Sequence, residues 1–126
     1  MEDIKKIIDE FSIAALEADT KIAGVAVISD FGDVIYQSEN FNLKNQSQII
    51  VSAFKGKNSF KLNKIGFNVL ESSSEALVAN SEDQMGYVII YKLRGGFFVV
   101  YAMPGGDPES ILGFLKKNAS KLQNLF

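Results

Sequence analysis

The chain has 126 residues, with no His, no Cys and no Trp. That length suits one domain over residues 1–126, with a core large enough to stand without disulfides or metals. The missing residue types exclude thiolate nucleophiles, Ser–His–Asp triads and zinc held by His or Cys. Binding is therefore favoured over catalysis, and neither an enzyme nor a bound cofactor is expected. The net charge of −2 is unevenly spread. Residues 1–39 carry nine acidic and three basic side chains, and residues 71–91 carry four acids and no base. Residues 40–70 carry five Lys (Lys44, Lys55, Lys57, Lys61, Lys64) and no acid. A nucleic-acid binder shows a basic excess over its whole domain, and this chain does not. The Lys block offers a local basic face to an acidic partner, or simply a solvated surface. The longest apolar run, Gly96 to Met103, has eight residues, far short of the ~20 that span a bilayer. The N-terminus MEDIKKIIDE is too charged for a signal peptide, so a cytoplasmic location is expected.

In chain order, Ile4, Ile7, Ile8, Phe11 and Ala15 recur at helical spacing, and the pattern fades near Asp19–Thr20. Gly24–Ser29 and Val34–Ser38 read as two strands joined by the turn Asp30–Phe31–Gly32–Asp33. Asn42–Phe54 reads as a second helix, with Asn45 as N-cap and Gln48 at the capping-box spacing. Ile65–Glu71, Ala76–Asn80, Tyr87–Leu93 and Phe97–Met103 read as strands, with Gly95–Gly96 marking a hairpin. Asp107 is placed to cap a last helix that opens with Pro108 and carries the stripe Ile111, Leu112, Leu115, Ala119, Leu122. The order α, ββ, α, ββββ, α predicts an α+β fold, a central antiparallel sheet with N- and C-terminal helices packed on it.

Few motifs carry chemistry. Gly95–Gly96 has no following helix to make a phosphate loop, and the helix start at Asp107 is occupied by its own cap. Glu71 and Glu75 flank a serine loop without the spacing of a calcium site. Phe60 stands among Lys55, Lys57, Lys61 and Lys64. It reads equally as an apolar anchor in a Lys-rimmed interface or as a core residue at a strand start.

Taken together, the segments resemble the profilins, a family of small actin-monomer-binding proteins. IKKIID (from Ile4) resembles the opening W-x-x-Y-[IV]-D helix, and AGVAVISDFGDVIYQSENF resembles the family's first hairpin. QSQIIVSAF, NSFKL, IGFNVLE, MGYVIIYKL and PGGDPESILGFLKKNASKL follow in the family's order, the last resembling its terminal helix. The resemblance implies a profilin fold, a monomer in the cytoplasm and cytoskeleton, and binding to monomeric actin that regulates its polymerisation. Carried over, the actin-binding positions are Phe60, Lys64, Glu71, Lys92, Gly105, Gly106 and Glu109, mainly in the basic blocks. It implies phosphoinositide binding by the Lys block more weakly.

The family grips proline-rich peptides with aromatic rings. The matching positions here are Ile4, Ile7, Ile35 and Lys121, with Tyr36 as a neighbour and Phe126 at the end. Polyproline binding is therefore expected to be weak, absent or moved. The Gly–Gly pair that the family carries before the Ile65 strand is also missing. The same element order admits a second reading, a roadblock-type dimeric scaffold that contacts small GTPases.

Overall fold

The computed structural model describes residues 4–38, 41, 43, 44, 46–62, 64–83 and 86–123, with backbone alone for 121–123. It contains α1 (Ile4–Glu17), β1 (Ile22–Ser29), β2 (Val34–Gln37), α2 (Ser47–Phe54), β3 (Ser59–Leu62), β4 (Ile65–Ser72), β5 (Ala76–Ser81), β6 (Tyr87–Leu93), β7 (Gly96–Ala102) and α3 (Pro108–Gln123). The strands form one sheet in the order β2-β1-β7-β6-β5-β4-β3, with every neighbouring pair antiparallel. β3 to β7 follow one another as a meander, and β1 closes onto β7 from the far end of the chain.

The apolar run of β7 explains the layering. Phe98, Val100 and Ala102 turn to one face and Phe97, Val99 and Tyr101 to the other. A strand buried on both sides reads as continuous hydrophobics rather than an alternation. On the first face α1 and α3 supply Ile7, Ile8, Phe11, Ala15, Ile111, Leu115 and Ala119. On the second face α2 supplies Ile50, Val51 and Ala53, with Phe60 and Leu62 from β3. Phe11 joins the elements of the first layer. Its ring meets Phe98 edge-on at 4.9 Å and Phe114 of α3 at 5.1 Å, so one side chain ties both terminal helices to the central strand.

The helix ends follow from local chemistry. After α1, Asp19 takes φ 54°, the Thr20 amide donates to the Ala15 carbonyl at 3.2 Å and the Asp19 amide to that of Leu16 at 3.1 Å. This is a Schellman closure with Asp in the left-handed position usually held by Gly. At α3, Asp107 accepts from the Glu109 amide at 3.2 Å and from the Ser110 hydroxyl at 2.8 Å, as its position before Pro108 predicts.

Three expectations change. Among the described residues the sheet has seven strands, not six, because Ser59–Leu62 pairs fully with β4. Its exposed–buried alternation is only four residues long, too short for a periodicity to stand out. α2 starts at Ser47, with Gln46 at the N-cap and no side-chain cap bond. Asn42 and Asn45, the expected start and cap, lie outside the described residues. Gln48 does not close a capping box. Its amide donates to the Phe31 carbonyl at 2.6 Å, and the Ser47 hydroxyl donates to the Gly32 carbonyl. The first turn of α2 thus braces the β1–β2 turn.

Phe11→Ala removes the ring shared by α1, β7 and α3. It is expected to destabilise the fold by about 3–5 kcal/mol, read as a lowered urea midpoint with an unchanged slope.

Candidate partner-binding face

Paired residues in an antiparallel sheet share a face. Ser59, Asn68, Asn80 and Tyr87 pair in succession across β3, β4, β5 and β6, and Tyr87 pairs with Ala102. Ala102 lies in the core beneath the terminal helices. The row therefore runs out from under α3 onto open sheet: Tyr87 and Asn80 are half-buried, Asn68 and Ser59 exposed. On one side of the row, Glu71 pairs with Val78, and Val78 with Ile89. On the other, Lys61 pairs with Gly66, whose carbonyl accepts from the Glu82 amide at 2.9 Å. Gly66 leaves room for the Glu82 carboxylate, since a Cβ there would sit 2.7 Å from Oε2.

The start of α3 borders this face. Asn80, Tyr87, Pro104 and Gly105 line a shallow polar groove together with Ser81 and Gly86. Gly86 permits the close approach of β6 and β7. It has φ 132°, and a Cβ would lie 2.1 Å from the Ala102 carbonyl oxygen. Amides, a phenol and carboxylates of opposite neighbours make a hydrogen-bonding surface, suited to docking a protein rather than to bond chemistry. Among the described residues no acidic cluster could hold a metal ion.

The structure brings some of the expected residues to this region and places others elsewhere. Glu71 lies on the face, Gly105 in its groove, and Glu109 is exposed in the first turn of α3. Gly106 packs inward, where a Cβ would be 3.1 Å from the Thr20 carbonyl. Lys64 is exposed in the β3–β4 turn at the rim, with φ 69°. Phe60 is on the opposite face and buried, its ring stacked on Phe67 at 5.6 Å. Phe60 is thus a core residue that also lines a groove with Lys57 and Lys61. Lys92 is also on the opposite side, paired in the ladder with Phe97. Its Nζ contacts Asp30 Oδ1 at 2.8 Å and the Gly96 carbonyl at 3.3 Å, and lies 5.0 Å from the Phe97 ring centre.

The second expected group is also dispersed. Ile7 is in the core, 6% exposed, because it falls on the inner stripe of α1. Ile4 and Tyr36 are half-buried against the same core. Ile35 is exposed because β2 bulges there: Val27 pairs with Tyr36 and Ile28 with Val34, leaving Ile35 unopposed. The Lys121 side chain and Phe126 lie outside the described residues. Asn68, Asn80 and Tyr87 are not among the residues expected from the sequence. Asn is depleted in strands, so two Asn within strands were the available sign of an open polar row.

No family model matches the chain. It is 26% identical to Loki profilin-2 of Lokiarchaeum sp., over 98% of each protein. It is 27% identical to Thor profilin of a Thorarchaeota archaeon, over 93% of this chain and 94% of that one. Among solved structures it is similar to a complex of Loki profilin-2 with rabbit actin, with a TM-score of 0.86 and 26% identity over 100% of this chain and 99% of that one. The chain is a divergent profilin. Its departures from the family pattern are local. In place of the Gly–Gly pair before β4, Lys64 itself adopts the left-handed backbone. At Ile4, Ile7 and Ile35, where this profilin has aliphatic side chains, no ring is available to stack on a proline helix.

Lys92 reads as a clip between two hairpins rather than a free cation. Lys92→Met is expected to cost about 1–2 kcal/mol in urea unfolding, since it removes a charge-assisted bond to Asp30 and a backbone contact.

Proposed function

We propose that this profilin binds monomeric actin and regulates its polymerisation. The observation that carries the proposal is the end-to-end likeness to the Loki profilin-2 complex with rabbit actin, at a TM-score of 0.86. Actin seats on the open face beside α3, where Asn68, Asn80, Tyr87 and Glu71 lie in neighbouring rows. Gly105 and Glu109 border it at the start of α3, and Lys64 lies at the rim. Protein docking needs a broad surface with many paired hydrogen-bonding groups, and this row supplies them without a deep cavity. Phe60 and Lys92 act through the fold. The roadblock-type reading is not favoured, given profilin relatives over nearly the whole chain.

Binding of proline-rich peptides is weak. Ile4 and Tyr36 offer only partly exposed flanks, Ile7 offers none, and Ile35 stands apart on a bulge. The affinity of polyproline recognition comes from rigid aromatic walls, of which these residues supply only the half-buried Tyr36.

Two measurements test these assignments. In a polymerisation assay with monomeric actin, ideally an archaeal one, the chain slows nucleation. Asn68→Glu, a change at an exposed position, weakens that effect at least tenfold, whereas Lys92→Met leaves it within about twofold once both are folded. No effect of the wild type on any actin would refute the function, and an equal loss in Lys92→Met would refute the placement of the face. In calorimetric titration, a decaproline peptide binds no tighter than the millimolar range, about −4 kcal/mol; micromolar binding would overturn that reading.

A further inference from the structure

The β1–β2 turn carries a feature that the actin-binding face does not use. Phe31 is 83% exposed at its tip. Isolated exposed apolar side chains are ordinary, but the backbone beneath this one is held from four directions. Ser29 Oγ accepts from the Phe31 amide at 3.2 Å and from the Asp33 amide at 3.0 Å. The Phe31 carbonyl accepts from Gln48 at 2.6 Å, and the Gly32 carbonyl from the Ser47 hydroxyl. The Asp30 amide donates to the Gly95 carbonyl at 3.1 Å, while the Asp30 carboxylate holds Lys92 at 2.8 Å. An aromatic side chain on a fixed loop is a pre-organised anchor, because little entropy remains to be lost when it is buried.

A matching hole lies beside it. Ile49 and Phe60 form the apolar floor of a groove between α2 and β3, rimmed by Lys57 and Lys61. Both Lys are exposed, and among the described residues neither pairs with a carboxylate. Gln48 lines this groove and also donates to the Phe31 carbonyl, so knob and groove are neighbours on one surface. The knob carries the exposed Asp33 two residues from Phe31, opposite in sign to the groove's rim.

We propose that the occupant of the groove is a second copy of this chain. Phe31 of each copy seats over Ile49 and Phe60 of the other, and Asp33 faces Lys57 and Lys61. A two-fold axis satisfies both contacts at once, because each copy presents its knob and its groove side by side. Two anchors and a few charge pairs make a small interface, so the dimer is weak and reversible. It leaves Asn68, Asn80 and Tyr87 uncovered and needs no actin, although Ser59 and Lys61 of the edge strand β3 border both surfaces.

Sedimentation velocity of the full chain without actin tests it, from about 10 μM to about 1 mM, the range that brackets a small interface. The weight-average mass is expected to climb from 13.9 kDa toward twice that value. Phe31→Ser leaves every backbone bond of the turn in place, and is expected to lower the association constant at least tenfold. Lys57→Glu with Lys61→Glu does the same, and adding Asp33→Lys to that pair restores association in part by reversing both signs. A wild type that stays monomeric throughout the range overturns the proposal, as does a Phe31→Ser chain that associates like the wild type. A monomeric wild type whose Phe31→Ser variant loses its effect on actin would put the knob on actin instead.

Discussion

The contact of Phe11 with Phe98 and Phe114 decides which part of the sheet stays bare. It draws α1 and α3 together over β7, the strand that is buried on both faces. Two helices side by side cover roughly 20–24 Å, at about 10–12 Å each. Seven strands at about 4.8 Å spacing span roughly 30 Å or more. The helices cannot reach across the whole sheet. Centred on β7 and β6, they leave the β3–β4–β5 end open, and the polar row Ser59–Asn68–Asn80 is what the chain places there. The open face is thus a consequence of how far two terminal helices extend, and the clasp at Phe11 sets where it begins.

The charge blocks of the sequence do not survive folding as surfaces. The five Lys of residues 40–70 look like one basic patch on paper. Lys57 and Lys61 rim the groove between α2 and β3, while Lys64 occupies the β3–β4 turn. The acidic block of residues 71–91 divides likewise: Glu71 and Glu82 flank the open row, while Glu75 reaches Lys116 of α3 at 3.9 Å. A strand turns its side chains to two faces with a period of two, so a block that crosses strands is distributed. Complementarity to a partner therefore resides in rows across the ladder, not in runs along the chain.

That principle also explains what the sequence could and could not convey. Helical stripes are long, so α1 and α3 were legible, and Asp107–Pro108 announced a cap that forms as expected. The central strands were legible because burial on both faces makes them uniformly apolar. The four-residue β3 and the first turn of α2 were not, because their residues are specified by neighbours distant in sequence. Gln48 fits a capping box locally, but its amide is engaged by the Phe31 carbonyl seventeen residues away. Bulges mattered most at the sites. One unopposed residue at Ile35 separates it from Tyr36, and the shift between Val69 and Glu71 accompanies the exposure of Leu70. Local sequence does not encode such shifts, because they arise from register across the pair. Family order supplies Glu71, Gly105 and Glu109 as candidates, whereas the candidates Asn68, Asn80 and Tyr87 emerge from the ladder itself.

The β1–β2 turn is the one place where the fold commits more than its connection requires. A tight turn between adjacent strands is ordinarily specified by Gly, Asn or Asp in two to four residues. Here Ser47 and Gln48 of α2, Lys92 of β6 and the Gly95 carbonyl all converge on residues 30–32. Those bonds come from elements that all follow the β1–β2 hairpin in sequence, so the turn is fixed only once the sheet has closed and α2 has docked. The side chain at its tip takes no part in that fixing, and Phe31 remains the most exposed large apolar residue among those described. Rigidity beneath an unburied ring gains the folded monomer little, since the ring contributes no core contact. The same rigidity is of direct use when a second surface meets that ring, and this asymmetry separates Phe31 from Leu16, which is as exposed but whose backbone is held by the local closure of α1 rather than by bonds from distant elements.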